Sequence, residues 1–139
     1  MEKRKTRIRV GRILYLILAI LFALCITAQI FIAGLATFVN PINWMKHTTF
    51  VHLFGFNLPI LMLVFAFVGA LPRWAYWQLL GLLGLIFTMY FSANMSAVLP
   101  WISALHPLIA VLLFILSCAI VLKTWKLILN KEDNQKGGS

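Results

Sequence analysis

Apolar residues fall in four long runs rather than in stripes, and short polar or proline-bearing breaks separate them. The runs cover about residues 13–39, 46–71, 74–99 and 103–129. A bilayer core of about 30 Å takes roughly 20 apolar residues per helix, so each run predicts one membrane-spanning helix. The breaks are Asn40-Pro41-Ile42-Asn43, Leu71-Pro72-Arg73 and Leu99-Pro100-Trp101. Connections this short make consecutive helices antiparallel neighbours. The pattern predicts an all-α, polytopic membrane protein built as a four-helix up-down bundle. A basic N-terminus (1–12) and a polar tail (130–139) flank the transmembrane domain (13–129).

Composition agrees with this reading. The chain has 139 residues, 63% of them hydrophobic, against about half in soluble domains. Net charge is +9. Nucleic-acid binding needs a basic face with polar surroundings, whereas these basic residues flank apolar spans and read as topology signals and lipid contacts. Eleven of the twelve Lys and Arg residues lie before the first run, between the second and third, or at and beyond the end of the fourth; Lys46 is the exception. Cytoplasmic loops carry the excess of Lys and Arg. Both termini are therefore expected in the cytoplasm, with the chain crossing the cell membrane four times. The first run continues to Val39 with no polar mature segment behind it, so it reads as a retained span and not as a cleaved signal peptide.

Polar residues inside the runs gather at the end opposite the basic one. They are Gln29 and Thr37, then His47, Thr48, Thr49, His52 and Asn57, then Tyr90, Ser92, Asn94 and Ser96, and finally Ser103 and His106. Polar groups in hydrocarbon need partners, so contributions from all four helices at similar depth predict one shared pocket that opens outward. Ionisable residues within a membrane mark functional sites, and the three histidines, His47, His52 and His106, are the chemistry-bearing groups there. Imidazoles point to metal or haem ligation. Gly34 and Gly55, placed near them, let a flat ligand or a second helix approach the backbone. Cys25 and Cys118 lie within apolar runs, outside any CxxC pair, and read as packing residues.

A short internal repeat pairs Phe31, Ala33 and Leu35 with Phe91, Ala93 and Met95. It also pairs Pro41 and His47 with Pro100 and His106. Two hairpins so related place the second and fourth helices diagonally opposite, with His47 as the counterpart of His106. His47 and His52 stand about 140° apart around their helix, so both cannot face one centre squarely. The choice between them stays open.

The strings Gln29-Ile-Phe-Ile-Ala-Gly-Leu-Ala-Thr-Phe38, His47-x-x-x-x-His52, Leu58-Pro59-Ile-Leu-Met-Leu63 and Leu105-His106-Pro107 resemble a bacterial family of small four-span membrane proteins, a domain of unknown function. The resemblance covers about residues 13–125 and implies a fold and a residue pattern without an activity. Histidines on the second and fourth helices also look, in architecture alone, like those of membrane b-type cytochromes.

The leading expectation is a haem b protein, with His106 and either His52 or His47 as axial ligands. Gly55, Gly34, Gln29 and Asn94 would lie around the cofactor, and Phe31, Phe50, Phe54, Phe56 and Phe91 would line the slot. Its role would be electron transfer with a quinone or a redox protein. A second reading places zinc or copper on all three histidines. A third has no cofactor: an accessory or assembly subunit, as a homodimer or in a larger membrane complex, its histidines bonded to Gln29, Asn94 or helix-end backbone. Carboxylate-coupled transport is disfavoured, because Glu2, Glu132 and Asp133 are all terminal. No nucleophile–base pair, phosphate loop or carboxylate pair marks an enzyme.

Overall fold

The computed structural model describes residues 2–136, with side-chain surroundings described through Asn130. The closing Gly137-Gly138-Ser139, part of the expected polar tail, lies outside the described residues. Six helices follow one another: α1 (Glu2–Phe38), α2 (Asn43–Phe54), α3 (Asn57–Val68), α4 (Arg73–Asn94), α5 (Pro100–Ser103) and α6 (His106–Lys136). No strand occurs among the described residues. Four segments are long and apolar enough to cross a membrane: α1, α2 with α3, α4, and α5 with α6. The shortest has 22 residues, or about 33 Å of helix at 1.5 Å per residue.

The basic segment 2–12 forms the opening turns of α1. Two expected spans are interrupted, and proline explains both breaks. Pro59 has no N–H to give the Gly55 carbonyl, and its ring crowds that oxygen; α2 accordingly ends at Phe54 and α3 begins at Asn57. In this gap the Asn57 Nδ2 donates to the Leu53 carbonyl at 2.8 Å. Pro107 acts in the same way on Ser103, separating α5 from α6.

The third span ends at Asn94, five residues short of the expected Leu99. Asn94 Nδ2 donates to the Tyr90 carbonyl at 2.9 Å, competing with continued helix. Pro100 then holds Leu99 out of the helical region, at φ −135° and ψ 75°.

α1 packs on α2, α3 and α6, while α4 packs on α3 and α6. The second and fourth segments therefore stand diagonally across the bundle. The core runs down its middle through Tyr15, Phe22, Met62, Leu79, Leu82 and Ile120, each at most 1% exposed. Many large apolar side chains on the outside, such as Leu24, Phe67, Trp77 and Phe87, remain exposed.

At the basic end, the α3–α4 turn closes against α1. Leu71 N–H reaches back to the Ala66 carbonyl at 3.0 Å, closing the helix with a six-residue loop in which Ala70 takes the left-handed position (φ 43°). Arg12, only 8% exposed, donates from Nε to the Gly69 carbonyl at 3.0 Å and from Nη2 to the Ala70 carbonyl at 3.3 Å. These contacts place a cation at the negative end of α3. Lys123 Nζ stands 5.5 Å from the Trp74 ring centre, a cation–π contact between α6 and α4.

A Cβ in the left-handed region costs roughly 1–2 kcal/mol, so Ala70→Gly is expected to stabilise the protein by about 1 kcal/mol. Thermal unfolding in detergent measures it; an unchanged or lower midpoint contradicts the strain at Ala70.

Candidate functional site

The opposite end of the bundle is built differently. Here α2 packs closely on α1 and more loosely toward α4 and α6, α4 reaching it through Tyr90, whose hydroxyl donates to the Val51 carbonyl at 3.2 Å. The gap between them is a cavity of about 180 Å³. All three histidines line it, together with Gln29, Gly55, Tyr90 and Asn94. Its inner wall is apolar, formed by Phe22, Ile26, Phe54, Ile86, Met89 and Leu113. Thr48, His52, Ala93 and Asn94 are exposed and form a rim.

The structure distinguishes among the histidines. His47 on α2 and His106 at the start of α6 face each other across the cleft, with ring centres 6.5 Å apart and planes at 56°. Both are half-buried. His52, about a turn and a half further along α2, is exposed and turned to Tyr90: their ring centres are 5.4 Å apart, with His52 Nδ1 3.4 Å from Tyr90 Oη. The 140° between His47 and His52 thus becomes a division of place. Among the described residues no group of three His, Cys, Asp or Glu side chains could hold a metal ion. The convergence required for a three-histidine zinc or copper site is not formed.

Each ring is held by a different neighbour. Gln29 Nε2 donates to the His47 backbone carbonyl at 2.7 Å, fixing the second turn of α2 on α1. Trp44 lies edge-on to the His47 ring at 5.5 Å. His106 Nδ1 lies 3.1 Å from Ser92 Oγ. Ser103 Oγ donates to the Ser92 carbonyl, so α5 is fastened to the last turns of α4. Two polar atoms at the cavity are buried without a hydrogen-bond partner: His47 Nδ1 and Gln29 Oε1. Buried polar atoms are nearly always paired, so the unpartnered His47 Nδ1 beside the cavity is an exception.

The expected site residues separate in the same way. Gln29, His47, Gly55, Asn94 and His106 lie around the cavity with His52 at its rim. Gly34 does not line it, and a Cβ there would have open space around it. At Gly55 a Cβ would come within 2.7 Å of the Val51 carbonyl oxygen and 3.2 Å of Tyr90 Oη, so glycine permits the close approach of Tyr90. Asn94 spends its amide on its own helix. Of the five expected aromatic residues, Phe54 lines the cavity and Phe50 packs on Phe54. Phe56 stacks on Tyr90 at 5.3 Å, while Phe31 and Phe91 are exposed. The sequence places Ser92 in the shared polar pocket but does not pair it with His106, and it does not single out Phe22 or Met89. The available signal was Ser92's place in an apolar run, three residues after Met89.

The donor set suits a metal held between two imidazoles. With metal–nitrogen distances of about 2.0–2.1 Å, such rings keep their centres roughly 6–7 Å apart. Low-spin haem takes this arrangement, from facing helices, with apolar walls around the ring. Pockets that enclose drug-sized ligands measure roughly 300–1,000 Å³, so a macrocycle would fill this cavity and extend past its exposed rim.

A family model described as a family of unknown function (DUF6220) matches residues 29–97. The chain is similar to that family over a stretch narrower than the expected 13–125. It holds Gln29, His47, His52, Gly55, Ser92 and Asn94, and it ends before Ser103 and His106. No curated protein and no solved structure matches the chain.

Proposed function

We propose that this chain is an integral membrane haem b protein of the matched family, with His47 and His106 as the axial ligands. The facing imidazoles, 6.5 Å apart across a cleft between α2 and α6, carry the reading. The unpartnered His47 Nδ1 and the apolar walls support it. Charge distribution supports an orientation with both termini in the cytoplasm of the cell and the histidine end outward. Lys46, Trp44 and Trp101, all exposed at that end, suit the neighbourhood of haem propionates. A bis-imidazole haem passes one electron at a time, and the partner would be a quinone or a redox protein reaching the rim.

The test is the reduced-minus-oxidised absorption spectrum of full-length protein purified from cells supplied with haem. A Soret band with the sharp visible bands of a low-spin b-type centre is expected. A colourless protein that co-purifies with a large membrane partner overturns the haem reading in favour of a cofactor-free accessory subunit.

A further inference from the structure

We infer that Ser92 fixes the tautomer of His106, holding the ring proton on Nδ1 and leaving Nε2 as its lone-pair nitrogen. Ser92 Oγ lies 3.0 Å from the Met89 carbonyl oxygen and 3.1 Å from His106 Nδ1. A hydroxyl has one proton to give, and a carbonyl has none. If Ser92 gave its proton to His106, two oxygens would face each other at 3.0 Å with only lone pairs between them. The pair is relaxed only when the Ser92 proton lies toward Met89, a back-bond usual for serine inside a helix. The contact with Nδ1 must then be made by a proton on the imidazole.

The Met89 carbonyl also lies within reach of the His106 ring, and it too can only accept, so this turn offers the ring two acceptors. Ser92 is 1% exposed, so water does not compete for its hydroxyl. Ser103 Oγ donates to the Ser92 carbonyl and holds α5, and with it the start of α6, against this turn. His106 is the first residue of α6, so its backbone is fixed by the same junction. Metal-bound histidines commonly donate their second ring N–H to a neighbouring acceptor, which sets the ring's orientation. Ser92 is thus a positioning residue. The use of Nε2 as a haem ligand rests on the proposed function, whereas the tautomer rests on the geometry of Ser92 and Met89 around the ring.

The test uses full-length protein labelled with ¹⁵N-histidine, free of haem, in lipid nanodiscs at a pH where imidazole is neutral. Two-bond proton–nitrogen correlations, assigned to His106 by loss of the signal in His106→Ala, read the tautomer directly. The expected result is protonated Nδ1 over protonated Nε2 by about tenfold, a ratio within reach of one hydrogen bond. Ser92→Ala should weaken this preference severalfold and Ser92→Thr should keep it, with unchanged helicity confirming that both variants fold. Protonated Nε2 in the unaltered protein, or an unchanged tautomer ratio in Ser92→Ala, overturns the inference. Haem loading is a separate readout: a fixed tautomer without a Soret band leaves the role of Ser92 standing and removes the haem reading alone.

Discussion

Replacing either His47 or His106 with alanine is expected to abolish the low-spin haem spectrum, whereas His52→Ala keeps it. A six-coordinate centre needs both axial nitrogens, so loss of one leaves an open position and loss of the sharp visible bands. His47 and His106 are the two rings that meet across the cleft. His52 stands at the exposed rim, beside Tyr90 and Phe56. Its removal takes away only the 3.4 Å contact with Tyr90, whose hydroxyl still donates to the Val51 carbonyl at 3.2 Å. Haem content per protein, measured by pyridine haemochrome, together with the optical spectrum, decides the matter. Equal loss in all three variants would show that the pair is misassigned. Retention of the spectrum in His106→Ala would remove α6 from the site.

The largest expected effect on stability lies at the other end of the molecule. Gly11→Val is expected to destabilise the protein by about 3 kcal/mol or more, the upper end of what overpacking costs. A Cβ at Gly11 would lie 2.5 Å from the Gly69 nitrogen and 2.7 Å from its Cα, with the Val68 carbonyl carbon at 2.8 Å. These are backbone atoms, which cannot rotate aside as a flexible side chain does. The approach is mutual, since a Cβ at Gly69 would lie 2.9 Å from the Arg12 nitrogen. Separating α1 from α3 also pulls Arg12 away from the Gly69 and Ala70 carbonyls, leaving a buried guanidinium without partners. Gly34→Ala and Gly84→Ala serve as controls, because a Cβ at either meets nothing within 4 Å. Unfolding midpoints in one detergent should fall steeply for Gly11→Val and hold for the controls. A Gly11→Val protein as stable as its parent would contradict the close contact.

The same two ends show how far the residues alone carry the structure. Four helices of membrane length follow from four apolar runs, because burying a polar backbone in hydrocarbon demands helix. Likewise, the gathering of Gln29, His47, His52, Asn94 and His106 at one end follows from counting along those runs, since helix rise turns sequence position into depth. The proline breaks at Gly55 and Ala104 were legible too, in Pro59 and Pro107, but an apolar run of full length hides an interruption that hydropathy does not measure.

Rotation around each helix, and the gaps left between helices, were decided only in three dimensions. That His47 faces His106 while His52 turns to Tyr90 depends on how α2 leans on α1 and leaves a cleft toward α4 and α6. Ser92 became a partner of His106 only when α5 folded back onto α4, across fourteen residues of chain. Gly11 and Gly69, 58 positions apart in sequence, had nothing in their local patterns to pair them. The physical reason is common to all three: local periodicity fixes a helix and its depth, whereas contacts between helices are set by side-chain shape summed over the whole bundle.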